Sequence, residues 1–164
     1  MTSVEVLVEN NTTESCAKYW DVVSNVFDQA DPEQLRHGMS LFGDETCFFA
    51  IEQVGVYVSV LFVTPVDIAG TRLGGIGGVC TRPEYSSMGY GRLLLERVLL
   101  DTSKDYPALL LWTRIPEYFL RFGFVEMPEI FVATHGGSTP MLFFHRNKYQ
   151  SMISALRGLP RERF

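Results

Sequence analysis

Residues Ile76 to Arg92 read Ile-Gly-Gly-Val-Cys-Thr-Arg-Pro-Glu-Tyr-Ser-Ser-Met-Gly-Tyr-Gly-Arg and run directly into Leu93-Leu94-Leu95-Glu96-Arg97-Val98-Leu99-Leu100. A β-prone run feeds a loop, and the loop opens an apolar helix. Gly89 and Gly91 carry no Cβ where that helix begins. The first turn of a helix leaves backbone N–H groups without intrahelical acceptors, and the helix dipole adds positive potential there. Such a start favours an anion, typically a phosphate. The segment therefore predicts a strand–loop–helix unit that takes a phosphate-bearing ligand.

The rest of the chain supplies elements around that unit. Val4 to Val8 alternates as a first strand, and Thr12, Thr13 and Glu14 signal a helix start. Ala17, Trp20, Val23 and Phe27 follow at helical spacing, and Asp31-Pro32-Glu33 opens a second short helix to about Met39. Cys47 to Gln53 and Val56 to Val63, joined at Gly55, predict a hairpin that Thr64-Pro65 ends, with a turn over Asp67 to Gly70. Thr71 to Thr81 is the next strand, and its glycines leave room for close backbone approach by a ligand. The main helix runs from Gly89 to about Asp101, with Leu94/Val98 and Leu95/Leu99 on its apolar face. Ala108 to Trp112 is a buried strand. A helix from Pro116 to about Phe122 stops at Gly123. Phe124–Val125, Ile130 to Thr134 and Met141 to His145 complete the strands, and Lys148 to Arg157 forms a terminal helix. The order β-α-α-β-β-β-α-β-α-β-β is α/β with a mixed, mostly antiparallel sheet flanked by helices.

With 164 residues, 46% of them hydrophobic, the chain can bury a core and is expected to form a single domain over 1–164. A net charge of −5 argues against a nucleic-acid partner and weakly favours a cationic one. Cys16, Cys47 and Cys80 are odd in number and widely spaced, which gives no disulfide framework and fits a reducing, cytoplasmic setting. His37, His135 and His145 lack metal-ligand spacing, so no metal is expected. No signal peptide is seen, and no apolar run reaches the ~18–20 residues that span a bilayer.

The element order, with Pro83-Glu84-Tyr85 through Gly91 and Pro116-Glu117-Tyr118-Phe119-Leu120-Arg121-Phe122-Gly123-Phe124, resembles the GCN5-related N-acetyltransferase superfamily over roughly Val4 to His145. That family's loop commonly reads Pro-Glu-Tyr-Arg-Gly-x-Gly-x-Gly. Pro83, Glu84, Tyr85, Gly89 and Gly91 match, Ser86 and Ser87 stand where Arg and the first Gly are usual, and Met88 and Tyr90 fill variable places. The resemblance implies acetyl-CoA as donor, its pyrophosphate on the backbone N–H groups of Ser87, Met88, Gly89, Tyr90, Gly91 and Arg92. It also implies that the pantetheine arm runs along Val79, Cys80 and Thr81. Many relatives carry a Tyr four residues before the Gly of a Gly-Phe pair, the acid for the CoA thiolate. Here that position is Phe119, counted with the cofactor-binding residues, and Tyr118 one place earlier is the candidate acid.

The implied activity is transfer of an acetyl group to a primary amine by direct attack on the thioester. The acceptor is a small molecule or a protein amine. An ammonium with a pKa near 10.4 must first lose a proton, at a cost on the order of 4–5 kcal/mol at pH 7. Glu52, Asp67 and His135 are candidates for that step by chemistry alone, and none is assigned. Cys80, in a strand without a neighbouring His, reads as a core residue and not a nucleophile. Three other readings stay open. One is a longer acyl-CoA, governed by Trp112, Phe119 and the Val56 to Val63 strand. Another is a degenerate member that binds CoA or a partner without catalysis. A dinucleotide-binding fold is the third, which expects its glycine turn after the first strand. The apolar late strands allow a homodimer.

Overall fold

The computed structural model describes residues 4–27, 42–68, 70–127 and 137–145. Its strands are β1 (Val6–Asn10), β2 (Cys47–Gln53), β3 (Val56–Ile68), β4 (Thr71–Thr81), β5 (Ala108–Thr113), β6 (Val125–Glu126) and β7 (Thr139–Phe144). The helices are α1 (Thr13–Val26), α2 (Tyr90–Asp101) and the single turn α3 (Pro116–Leu120), with a 3-10 turn at Pro83–Tyr85. The strands hydrogen-bond in the order β1-β2-β3-β4-β5-β7-β6. β4 runs parallel to β5, and β1–β2, β2–β3, β5–β7 and β6–β7 are antiparallel. The sheet is thus mixed and mostly antiparallel, as the sequence predicts. The chain groups into two compact units, Met1–Thr64 with Ile76–Leu100, and Pro65–Gly75 with Asp101–Phe164.

In the first unit, α1 starts where Thr12 caps it. The Thr12 hydroxyl accepts from Ser15 N–H at 3.1 Å, and the Ser15 hydroxyl accepts from Thr12 N–H at 2.9 Å, a reciprocal capping box. The helix buries Cys16, Tyr19, Val22 and Val23 against Phe48, Ala50, Tyr57, Val60 and Cys80. The predicted stripe of Ala17, Trp20, Val23 and Phe27 is corrected here: Ala17 and Phe27 are exposed and Trp20 is half-buried. Two apolar stripes about one residue apart run along this helix, and the one carrying Tyr19 meets a strand wall that a large ring can fill. α2 buries Leu94, Leu95 and Val98, with Leu99 half-buried, close to the predicted face.

In the second unit, Ile68, Leu73, Ala108, Leu110, Met127 and Leu142 make one core cluster. The β4–β5 register holds two pairs, Gly74↔Leu109 and Gly75↔Leu110, and β4 continues for six residues past them. α3 opens on Pro116 at its first position. It is followed by Gly123 at φ +90°, the predicted stop.

β2 and β4 match their predicted limits. β3 does not stop at Thr64-Pro65 but runs to Ile68, so the predicted turn over Asp67 to Gly70 is shorter. Its ladder with β2 ends at the Cys47↔Val63 pair, so Pro65 lies where no β2 partner requires its missing N–H. β1 is shifted to Val6–Asn10, and α3 ends at Leu120. The predicted Asp31 to Met39 helix, Ile130 to Thr134 strand and Lys148 to Arg157 helix lie outside the described residues, as do His37 and His135. Among the described residues, no helix is long and apolar enough to cross a membrane.

Candidate functional site

Around the predicted anion site, the chain leaves β4 at Thr81 and makes its 3-10 turn at Pro83–Tyr85. It crosses Ser86–Gly89 and begins α2 at Tyr90. The turn is closed by Tyr85 N–H on Arg82 O at 2.9 Å and Ser86 N–H on Pro83 O at 3.1 Å. The first bond of α2 is Leu93 N–H on Gly89 O at 3.1 Å. Between those bonds, among the described residues, the N–H groups of Ser87, Met88, Gly89, Tyr90, Gly91 and Arg92 donate to no protein acceptor. Ser87, Met88, Gly89 and Arg92 are exposed, and Tyr90 and Gly91 are half-buried. Ser87 has φ +65° and Gly89 φ +79°. Alternation into the left-handed region turns successive N–H groups toward one side, a concavity suited to an anion. The rings of Tyr85 and Tyr90 stack across the turn with centroids 6.4 Å apart. The Arg92 side chain is exposed and bonds Glu96 Oε1 at 2.7 Å.

A left-handed conformation costs a non-glycine residue about 1–2 kcal/mol. Ser87 carries that cost at the position where the resembling motif has Gly. Ser87→Gly is therefore expected to stabilise the protein by roughly 0.5–1 kcal/mol, part of the relief being offset by glycine's freedom in the unfolded chain. Urea unfolding of the two proteins measures it.

The strand before the loop is held from behind. Ser59, fully buried on β3, donates to Cys80 O at 3.2 Å and shares a 2.7 Å hydrogen bond with Thr81 Oγ1. Val79 and Thr81 are half-buried. The glycines of β4 were expected to admit a ligand close to the backbone. At Gly77 that space holds the Phe62 ring, and at Gly78 it holds the Tyr19 hydroxyl. Gly78 has φ +60° in mid-strand, and Tyr19 is only 2% exposed.

Cys80 is 7% exposed, and burial pushes its thiol up to about 12, with Arg82 pulling weakly the other way. It stays protonated at neutral pH, which excludes a thiolate nucleophile there. A folded-state value raised above the ordinary 9.0 stabilises the fold fully below pH 9. That stability is lost as pH rises toward 12. Between pH 9 and 12, wild type should lose about 1.4 kcal/mol per pH unit more than Cys80→Ala. Parallel stability profiles for the two proteins would contradict this.

In the second unit, Phe119 is buried against Phe124 at 5.8 Å and edge-on to Tyr118 at 5.1 Å. Tyr118 is half-buried, with the Arg121 guanidinium 5.1 Å from its ring centre. Burial raises its phenol above the ordinary value, against a smaller lowering by Arg121, so it holds its proton at neutral pH. Trp112 is partly exposed at 37%. The strand end and turn thus come together in the first unit, and Tyr118, Phe119 and Trp112 belong to the second. Glu52 and Asp67 are exposed, and His145 is buried with Nε2 3.3 Å from Thr102 Oγ1. Among the described residues no group of His, Cys, Asp and Glu could hold a metal ion.

Ser59, Tyr19 and the Arg82–Asp21 pair escape a reading of the sequence. Ser59 alone left a signal, as the one small polar residue in Val-Tyr-Val-Ser-Val-Leu-Phe-Val.

This fold is that of the GCN5-related N-acetyltransferases. An N-acetyltransferase of that family from Escherichia coli, solved with CoA, superposes with a TM-score of 0.72 at 16% identity over 97% of this chain and 88% of its own. An acyl-CoA N-acyltransferase from Pseudomonas aeruginosa gives 0.67 at 21% identity over 85% and 99%. A probable N-acyltransferase from Enterococcus faecalis gives 0.63 at 22% identity; 74% of this chain matches, spanning about a third (32%) of that longer one. No family model matches the sequence, and no curated protein does.

Proposed function

We propose that this chain is a CoA-dependent N-acyltransferase that moves an acetyl group from acetyl-CoA to a primary amine. The observation that carries the reading is the run of six N–H groups, Ser87 to Arg92, with no protein acceptor among the described residues, at the start of a twelve-residue helix. These donors suit a diphosphate, each charge-assisted hydrogen bond contributing about 1.5–3 kcal/mol. β4 runs on to Thr81 past its last β5 pair at Gly75, and main-chain groups on that stretch suit the amides of a pantetheine arm along Val79, Cys80 and Thr81. Bound acetyl-CoA would supply the activated thioester, with CoA leaving as the thiolate. The chain's own part is to bind the donor, to orient the carbonyl for attack, and to offer a main-chain N–H near Val79 or Cys80 to the developing oxyanion. Tyr118, protonated at neutral pH, is the proposed proton donor to the departing thiolate.

A second reading, CoA binding without catalysis, is favoured by Ser86, Ser87 and Phe119, which depart from the resembling motifs. Calorimetry with acetyl-CoA, followed by a panel of amines scored by thiol release, separates the two. Heat of binding and amine-dependent thiol support the transferase. Binding with no thiol from any amine supports the second reading, and no heat with acetyl-CoA or CoA defeats both.

A further inference from the structure

We propose that Arg82 is a positioning residue for the anion-binding turn, clamped by Asp21 and the Tyr57 carbonyl; the inference rests on the cofactor reading above. Arg82 stands at the junction between strand and turn. Its N–H bonds Val58 O on β3 at 2.8 Å, and its own carbonyl accepts from Tyr85 at the end of the 3-10 turn. Its side chain reaches β3 and α1. Nε donates to Tyr57 O at 2.8 Å, and a terminal nitrogen bonds the Asp21 carboxylate on α1.

The residue is 8% exposed, whereas the Asp21 side chain is 61% exposed. A buried guanidinium held at two places by its planar fork is costly to unpair, and lysine cannot reproduce both bonds. Beyond Ser86 the turn has no main-chain hydrogen bond of its own until Leu93, among the described residues. Its conformation is therefore inherited from its two ends. One end is the first bond of α2, and the other is Arg82. The guanidinium faces β3 and α1, so it does not replace the positive charge missing at Ser86. It acts through the main chain by fixing where the turn begins, which lowers the ordering cost of binding.

The test compares wild type with Arg82→Met, Arg82→Lys and Asp21→Asn, each read by CoA titration and by amide hydrogen exchange without ligand. Arg82→Met should raise the CoA Kd about tenfold, the loss of roughly one good hydrogen bond's worth of ordering. Arg82→Lys should fall between it and wild type. Asp21→Asn, at an exposed position, should raise Kd about threefold with little change in Tm. In the variants, exchange at Tyr85 and Ser86, the two hydrogen-bonded amides of the turn, should quicken while β2 keeps its protection. If Arg82→Met does not fold, Asp21→Asn decides. Wild-type Kd and wild-type exchange in a folded variant overturn the clamp alone. A wild type that binds no CoA overturns the cofactor reading and this inference with it.

Discussion

Tyr90→Pro is expected to weaken CoA binding by about tenfold to a hundredfold, whereas Tyr90→Ala stays within about threefold of wild type. Tyr90 is the first residue of α2. Proline is tolerated there because its φ suits a helix and the N–H it lacks has no intrahelical acceptor. The substitution therefore deletes one of six donors and leaves the helix in place. A charge-assisted hydrogen bond is worth about 1.5–3 kcal/mol, or roughly ten- to 150-fold in Kd. The alanine variant removes the same ring and its stacking on Tyr85 but keeps the donor. Titration calorimetry on both separates backbone from side chain. Equal weakening by the two would assign the effect to the ring and remove the main-chain donor from the account.

Gly78→Ala should cost about 2–5 kcal/mol of stability. Two terms add. A left-handed φ costs an alanine about 1–2 kcal/mol. The new methyl also falls on the Tyr19 hydroxyl, with the ring carbon Cζ 2.8 Å away, in a core where Tyr19 has no room to retreat. Overpacking of that kind costs about 1–3 kcal/mol. Tyr19→Phe in the same chain removes the oxygen and should return roughly 1 kcal/mol, a coupling a double-mutant cycle resolves. Unfolding within 1 kcal/mol of wild type for Gly78→Ala alone would show that the strand accepts a side chain there.

Local chemistry made much of the fold legible. β2 and β4 are runs of β-formers bounded by turn residues, and their predicted limits hold. The loop and α2 were legible because Pro83, Gly89 and Gly91 punctuate an apolar run. Three features were not. The inward face of α1 was ambiguous because Cys16/Tyr19 and Trp20 compete, and only the packed strands decide between them. Pro65 marked a strand end by its chemistry, but the ladder with β2 had already finished. The supports of the site join residues far apart in sequence. Arg82 and Asp21 are 61 positions apart, and Ser59 and Thr81 are 22 apart. No periodicity records such pairs. The Ser87 conformation lay between these cases: the resembling motif has Gly at that position, and the backbone there takes φ +65°.

The most direct test is an amide spectrum of nitrogen-15-labelled protein during titration with CoA. The account predicts that the N–H signals of Ser87, Met88, Gly89, Tyr90, Gly91 and Arg92 move together and saturate with one affinity, as donors closing on a diphosphate do. Signals that stay still at those six positions while CoA binds elsewhere, or while it fails to bind at all, would contradict it.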